Sequence, residues 1–174
     1  HVWTPWFSMF GSMSGYDSFK DCFEDQSKNV HAIETGLSSD PEMNWRFPEL
    51  DNKTILSFSD AHSHWPWKLG REATVFDVKK LTYDDVIRAV RDNHVVKTIE
   101  FFPEEGKYHF DGHRKCDVCM HPAESIKINN LCPKCGKQMT IGVAHRVEDL
   151  PTREKGQGKP YIKLIPLAEL IAAY

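Results

Sequence analysis

The sequence predicts an α/β fold built on a parallel sheet or a β/α barrel. Two stretches, 30–35 and 54–58, have the short apolar runs of buried strands, and each is followed by a polar loop. A segment with helical spacing of apolar residues precedes the first of them, so strands and helices alternate. In such folds the carboxyl ends of the strands meet at one face, and that face carries the chemistry.

Composition limits the function classes without selecting one. The 174 residues suffice for one domain, or for a small domain with an added module. A net charge of −3 gives no global electrostatic case for nucleic acid, although local patches remain open. No apolar run approaches the roughly eighteen residues of a membrane span. The chain starts at His1 instead of Met and ends on an apolar run, so we expect a fragment of a longer protein.

The first element in chain order is the end of a strand at residues 1–6, which runs into a loop containing Gly and Ser. A helix follows, with Asp17 as its predicted N-cap. Its apolar residues Phe19, Cys22 and Phe23 have the i, i+3, i+4 spacing of one buried face. We therefore expect Cys22 in the core.

The second strand covers residues 30–35, and Asp40 followed by Pro41 starts a short helical piece after it. Residues 54–58 form the third strand. Residues 73–78 are predicted to form a short fourth strand at the edge of the domain.

The third strand ends in Asp60-Ala61-His62, which places a carboxylate and an imidazole on the same side. His1 and Glu34 stand at the ends of the first two strands, so all four side chains are predicted to converge. Such a group suits a metal site or an acid–base pair. The alternative is a polar turn closed by an Asp hydrogen bond, with His62 on the surface.

Residues 82–93 form the clearest helix, which Thr82 caps with Asp85 at the N3 position. We interpret this helix as structural. Residues 95–102 and 107–110 then predict a hairpin that leads into the cysteines.

The most specific spacing in the chain is a pair of C-x-x-C motifs, Cys116 with Cys119 and Cys132 with Cys135. Four thiolates close a tetrahedral site, which predicts a structural Zn²⁺ ribbon in a reducing, cytoplasmic compartment. A redox dithiol, the alternative, would not need two pairs. Because four cysteines fill the site, three flanking histidines are expected outside it: His109, His113 and His121.

After the ribbon, residues 151–160 predict a flexible, basic linker. Such a linker either follows a phosphate backbone or is ordinary solvated surface. Pro166 then opens a last helix, which is predicted to continue to residue 174.

Three segments together resemble the second half of a PHP (polymerase and histidinol phosphatase) domain: H-V-W at 1–3, A-I-E-T-G-L-S-S-D at 32–40 and S-F-S-D-A-H-S-H-W-P-W-K-L-G-R-E at 57–72. With the C-x-x-C pairs placed after them, the whole chain resembles the endonuclease Q family of DNA-repair nucleases. The stretch I-K-L-I-P-L-A-E-L-I-A at 162–172 is similar to that family's further C-terminal region.

The resemblance implies the C-terminal part of a distorted PHP-type β/α barrel, with a cluster of divalent metals (Zn²⁺, Mn²⁺ or Mg²⁺) at the strand ends. His1, Asp60 and His62 match the family's later metal ligands, and Glu34 matches a position near the metals. The family's earlier ligands, including an H-x-H, have no counterpart here. The fragment is therefore expected to hold roughly half a metal site. Either the upstream half of the domain is a separate or missing segment, or this chain alone is inactive.

The resemblance also implies cleavage of one DNA strand 5′ to a deaminated base (uracil, hypoxanthine or xanthine) or an abasic site, with the base flipped out. Candidate substrate contacts flank the metals: Trp3, Trp6, Ser38, Ser39, Asp40, Trp65, Trp67, Lys68 and Arg71, with His64 nearby. The alternatives are core packing for the tryptophans and helix capping for the Ser-Ser-Asp loop.

Two other functions remain open on this sequence: a phosphoesterase for a small phosphate ester, and a non-catalytic zinc-ribbon module that binds DNA or a partner. The predicted division is nuclease portion 1–80, connection 81–111, zinc-ribbon module 112–150, and linker with the start of a helical segment 151–174. Expected partners are damaged DNA, the upstream half of the PHP domain and a repair or replication factor. No membrane is expected among them.

Overall fold

The computed structural model describes residues 1–173 and has seven strands in three small sheets. The strands are β1 Ala32–Glu34, β2 Thr54–Leu56, β3 Ala73–Phe76, β4 Val95–Glu100, β5 Asp111–His113, β6 Val118–Met120 and β7 Tyr161–Lys163. The helices are α1 Phe19–Phe23, α2 Pro41–Trp45, α3 Tyr83–Arg91, α4 Pro122–Ser125, α5 Val143–Asp149 and α6 Leu167–Ala172. The last residue of the helix predicted after Pro166, Tyr174, lies outside the described residues.

The predicted parallel pairing is confirmed for β1 and β2, which are in register with Ile33 opposite Ile55. The amide of Thr35 continues the ladder to the carbonyl of Leu56 at 3.0 Å. Both strands therefore end at the same edge, and the loops that follow them share one face. The N-terminal segment, predicted to finish a strand, is irregular instead.

The second sheet has the order β3-β4-β7, with β4 antiparallel to β3 and parallel to β7. The predicted hairpin between 95–102 and 107–110 is wrong, because β4 has both edges paired by these other strands. Residues 107–110 form turns and bends, and their backbone contacts α5.

Two predicted helix starts are confirmed by their caps. Asp40 accepts a hydrogen bond from the amide of Met43 at 2.9 Å, and Thr82 accepts one from the amide of Asp85 at 3.2 Å. The cap of α1 is Ser18, one residue after the predicted Asp17. Asp17 instead pairs with the Arg146 guanidinium at 2.6 Å.

The core is centred on an aromatic cluster in which the rings of Trp3, Phe10 and Phe47 lie 4.6–6.0 Å apart. Helix α5, predicted as part of the zinc-ribbon module, packs into this same core through Val143 and Val147. The chain therefore contributes residues to this core both before and after the segment that carries the cysteines. We call the part of the chain built on this core the body. No helix within residues 1–173 has the length and apolar character to cross a membrane.

The segment predicted as a flexible linker folds against α2. Arg153 donates from Nε to the carbonyl of Trp45 at 3.0 Å and pairs with Asp51. Gly156 and Gly158 pack on Trp45 so closely that an added Cβ at either glycine would overlap it. This segment, residues 151–160, is called the strap. It leads into β7, which pairs with β4 as the third strand of the second sheet.

Candidate metal and nucleic-acid site

The ends of β1 and β2 bring His1, Asp60 and His62 together, as predicted. The Oδ2 atom of Asp60 lies 3.4 Å from Nε2 of His1, and its Oδ1 atom lies 3.2 Å from Nε2 of His62. Asp60 has φ +46°, a left-handed conformation that Asp adopts more readily than most residues. One carboxylate thus faces two imidazoles, an arrangement that can bridge two cations.

The His1 ring rests on Gly36. A Cβ at position 36 would lie 2.7 Å from Cε1 of His1 and still nearer to Nδ1, and Gly36 has φ +67°. Only glycine satisfies both the backbone conformation and the close approach. Glu34, predicted near the metals, has its Oε2 atom 3.6 Å from the main-chain nitrogen of His1.

His1, Asp60 and His62 line a groove of about 690 Å³. The groove is also lined by three cationic side chains, Lys68, Arg71 and Lys107. The loop after Asp60 is held closed by Ser59, whose Oγ donates to the carbonyl of Glu72 and accepts from the amide of Gly70. Arg71 donates from Nε to the carbonyl of Ser59 at 3.0 Å. The loop therefore presents two predicted phosphate contacts, Lys68 and Arg71, to the groove.

The predicted aromatic contacts divide into two groups. Trp3 is 1 % exposed and donates from Nε1 to Asn44, so core packing applies to Trp3 and its predicted role in DNA contact is wrong. Trp65 and Trp67 are 50 % and 39 % exposed and stack with centroids 5.1 Å apart and planes 11° from parallel. His64 continues this stack over Trp65 at 5.1 Å, and the half-exposed Trp6 lines the groove.

The Ser-Ser-Asp loop is mainly structural. Ser39 is buried and donates to the carbonyl of Thr35 at 2.6 Å. Asp40 caps α2 and pairs with Lys163 at 2.8 Å. Both side chains are thus used inside the fold, because the loop turns directly into α2. Ser38 is the member of the loop that lines the groove.

Lys107 and Tyr108 form a wall of the groove that sequence reasoning missed. The Tyr108 ring lies 6.3 Å from that of Trp6, and Lys107 Nζ lies 5.2 Å from its centroid. The available signal was a basic and an aromatic residue directly after the turn at Gly106. Assigning these residues to a strand concealed it.

Two buried glutamates lie near each other, Glu72 directly after Arg71 and Glu100 at the end of β4. Burial, followed by the charge of Glu100, raises the pKa of Glu72 to about 8. Burial raises the pKa of Glu100 to about 7, although the hydroxyls of Thr35 and Ser57, which donate to its Oε2 atom at 3.0 and 3.1 Å, oppose the shift. One oxygen of each carboxyl has no hydrogen-bond partner within the described residues. At neutral pH this pair therefore retains protons that exposed glutamates would lose.

The second site is in the cysteine module, where His113, Cys116, Cys132 and Cys135 place their ligand atoms within 4.8 Å of one another. Within residues 1–173 no other group of three or more His, Cys, Asp and Glu side chains is this compact. The prediction of a four-cysteine set is not what the geometry shows, since His113 takes the place given to Cys119.

The register of the β5–β6 hairpin explains the exchange. Cys119 is directly opposite Gly112, so these two residues project to one face of the hairpin. His113 is the next residue along β5 and projects to the opposite face. That face carries the other three cysteines, while Cys119 is exposed. Burial opposes ionisation of Cys132, but the amides of Lys134 and Cys135 and the side chains of Cys135 and His113 hold its pKa at about 7. The hydrogen bond with Cys135, followed by burial, raises the pKa of Cys116 to about 11, so the thiolate is favoured at Cys132 and not at Cys116.

Fold and sites together define an α/β protein with a His/Asp groove and a compact Cys₃His group. No protein-family model matches the chain. An uncharacterized protein of Methanocaldococcus jannaschii is 36 % identical over 180 residues, which cover 99 % of this chain and 22 % of that protein. The uncharacterized protein YqxK of Bacillus subtilis is 30 % identical over 173 residues, covering 96 % of this chain and 42 % of YqxK.

Two solved structures are similar over nearly the whole chain. The lesion-specific endonuclease PfuEndoQ of Pyrococcus furiosus is 34 % identical with a TM-score of 0.80, over 98 % of this chain and 42 % of its own. Endonuclease Q in complex with a 27-mer duplex substrate, with an abasic lesion at the active site, is 34 % identical with a TM-score of 0.86, over 99 % and 44 %. The chain is therefore endonuclease Q-like, and it spans less than half the length of each of these relatives.

Proposed function

We propose that this chain forms part of a metal-dependent endonuclease that cuts DNA 5′ to a deaminated base (hypoxanthine, uracil or xanthine) or an abasic site. The observation that carries the proposal is the placement of Asp60 between two imidazoles in a groove with three cationic side chains. Its similarity to a lesion-specific endonuclease, and to one bound to an abasic duplex, supports the same function.

The donor atoms of the groove fit divalent cations. Imidazole nitrogens suit Zn²⁺, and carboxylate oxygens suit Mn²⁺ and Mg²⁺ as well. Asp60 would bridge two ions, of which His1 and His62 would each hold one. Bound metal supplies an activated water and neutralises charge on the reacting phosphate. The remaining ligands come, in this proposal, from an upstream half of the PHP-type barrel.

The other side chains of the groove bind and orient the DNA in this proposal. Lys68 and Arg71 contact phosphates on one wall, and Lys107 contacts them on the other. The stacked rings of Trp65 and Trp67 receive an unpaired base or the neighbour of a flipped one. These contacts hold the strand so that the phosphate 5′ to the lesion lies over Asp60.

The Cys₃His group is proposed to bind a structural Zn²⁺. Three thiolates and one imidazole close a tetrahedral site and leave no open position for a water. We also propose that the residues around this Zn²⁺ form a module, which lies in the sequence between a nuclease portion and the C-terminal strap. We further propose that the assembled protein acts in the cytoplasm, at the nucleoid, with repair or replication factors as partners.

The test is cleavage of an end-labelled duplex containing one deoxyinosine, deoxyuridine or abasic site, with Mn²⁺ or Mg²⁺, using the longer protein that supplies the rest of the barrel. A cut on the 5′ side of the lesion is expected, with Asp60→Asn at least about 100-fold slower because it loses the bridging charge. Asp77→Asn, an exposed carboxylate outside the groove, is the matched control.

Three outcomes would contradict the proposal. Cutting of undamaged DNA at the same rate would remove lesion specificity. Hydrolysis of a small phosphate monoester without DNA cleavage would favour a phosphoesterase. Binding of DNA without any hydrolysis, with the metals shown to be present, would favour a non-catalytic module.

A further inference from the structure

Asp111 is a fully buried carboxylate that lies outside the His/Asp groove. It is 0 % exposed and stands at the start of β5, two residues before His113. Its Oδ1 atom accepts from the amide of Gly142 at 2.7 Å. Its Oδ2 atom accepts from the hydroxyl of Ser125 and pairs with Nδ1 of His145 at 2.6 Å. One carboxylate thus joins the hairpin, α4 and the first turn of α5.

The first turn of α5 is in turn attached to the wall of the groove. The amide of Val143 donates to the carbonyl of Tyr108 at 2.8 Å, and the amide of Ala144 donates to that of His109 at 3.0 Å. These are amides at the helix N-terminus, which have no partner inside the helix. Gly142 packs so closely on Phe110 that an added Cβ would overlap its carbonyl.

The same wall is held from its other side. His109 is buried, and its Nδ1 atom lies 2.9 Å from the carbonyl of Ser38, in the loop after β1. Gly106 packs directly on Leu37 and Ser38. The segment 106–110 is therefore clamped between the loop that carries Ser38 and the first turn of α5.

From this chain of contacts we infer that Asp111 is a positioning residue that couples the Cys₃His group to the Lys107–Tyr108 wall of the groove. His113 would hold a bound metal at the end of β5, and this would fix Asp111 two residues earlier on the same strand. Asp111 then fixes the first turn of α5, whose amides hold the backbone of Tyr108 and His109. The coupling stands on the described residues alone; only its consequence for DNA cleavage rests on the proposed function.

Coupling of this kind is reciprocal, so weakening Asp111 must weaken metal binding by the module. Asp111→Asn keeps the shape but places an amide NH₂ against the Ser125 hydroxyl and His145. The dissociation constants of the Asp111→Asn variant for Co²⁺ and Zn²⁺ are expected to rise about tenfold. Co²⁺ binding is followed through the thiolate absorption bands, and Zn²⁺ binding is measured by competition with Co²⁺. The matched control is Asp149→Asn, which lies on the other side of His145 at 3.6 Å and is half exposed. Its expected change is less than about twofold.

Hydrogen exchange tests the other direction on the unaltered protein. Chelation of the metal is expected to raise amide exchange at Gly142, Val143 and Ala144 at least about tenfold, as local opening becomes easier. The amides of Thr35 and Thr54, in the β1–β2 ladder, should not change. Equal exchange with and without metal would overturn the coupling, and this holds even if Asp111→Asn fails to fold.

An unchanged metal affinity in the folded Asp111→Asn variant would also overturn the proposed coupling. Neither measurement involves DNA. If both succeed while the metal-loaded protein cuts no damaged duplex, the proposed function fails and the coupling stands. If the protein cuts damaged DNA but exchange does not respond to metal, the function stands and the coupling fails.

Discussion

The position of the His1 ring depends on the absence of a side chain at Gly36. The left-handed φ of Gly36 costs other residues about 1–2 kcal/mol, and a methyl group there would also overlap the imidazole. Backbone strain alone affects stability, whereas overlap with His1 also moves a proposed metal ligand. The two effects can be separated because Gly70 has the same conformation, φ +69°, with nothing within 4 Å of its added Cβ.

We predict that Gly36→Ala lowers the rate of lesion cleavage about 100-fold, as expected for misplacing a ligand by an ångström. Gly70→Ala should lose similar stability, measured by urea unfolding, and retain most of the cleavage rate. Equal losses of rate in the two variants would show that strain, and not the contact with His1, controls activity.

At the cysteine module, one residue of register decides which side chain completes the site. His113, and not Cys119, faces the three cysteines. We therefore predict that His113→Ala lowers Zn²⁺ affinity at least about 100-fold, because it removes one of the four direct ligands. Cys119→Ser should bind Zn²⁺ normally, and His113→Cys should restore most of the affinity. Competition with a chromogenic chelator measures all three. A larger loss in Cys119→Ser than in His113→Ala would restore the four-cysteine set.

Among the elements, β4 carries a buried carboxyl next to a second one. It ends in Glu100, buried beside Glu72, and both pKa values lie above the ordinary 4.5, at about 7 and 8. The folded protein therefore holds more protons than the unfolded chain between these limits. The stability contributed by the pair is complete below pH 4.5 and is lost as pH rises through 7 to 8.

We predict that the free energy of unfolding falls between pH 6 and 8, with a slope approaching about 1.4 kcal/mol per pH unit for each proton involved. Glu72→Gln, which is neutral at every pH, should flatten this slope. Glu154→Gln, on the exposed strap, should leave the slope unchanged. The histidines are the same in the unaltered protein and in both variants, so a difference between the three slopes comes from the substituted glutamate. Urea unfolding at a series of pH values gives the comparison. An identical slope in Glu72→Gln would contradict the assignment.

Elements whose signals are local were predictable from the sequence. The apolar runs gave β1 and β2, and Asp40-Pro41 and Thr82 marked helix starts through their own hydrogen bonds. The 107–110 segment was not predictable in this way, because the carbonyls of Tyr108 and His109 accept hydrogen bonds from amides of α5, more than thirty positions later in the sequence. The Lys107–Tyr108 wall was missed for the same reason. His113 was missed because C-x-x-C spacing does not show which face of a hairpin each residue occupies.

In the whole molecule, the cysteine module is an insertion into the body and not an appendage at its end. The chain leaves the body at Gly112 and returns at Thr140, and these residues exchange two backbone hydrogen bonds of 3.0 and 2.8 Å. The core then takes up α5 through Val143, Val147 and Leu150. Ends this close can be joined without the intervening residues, since a short turn spans an antiparallel pair.

We predict that replacing residues 114–138 with a two-residue Asn-Gly turn leaves a folded body. Helix α5 belongs to the same core cluster as Trp3 and Phe10, and no residue of the excised segment is part of that cluster. Circular dichroism should show cooperative unfolding, and the chain should lose the Zn²⁺ of the cysteine module. Stability should fall by about 1–2 kcal/mol, since Asp111 loses the Ser125 hydroxyl.

The same excision should slow lesion cleavage in the longer protein while the His1–Asp60–His62 groove keeps its proposed metals, because Asp111 loses Ser125 and holds the first turn of α5, and with it the Lys107–Tyr108 wall, less firmly. Metal content after the excision separates the two sites: the Zn²⁺ of the module should disappear, and the ions of the groove should remain. A chain that fails to fold after the excision would show that the module is part of the core. Unchanged cleavage would show that the module takes no part in holding the DNA.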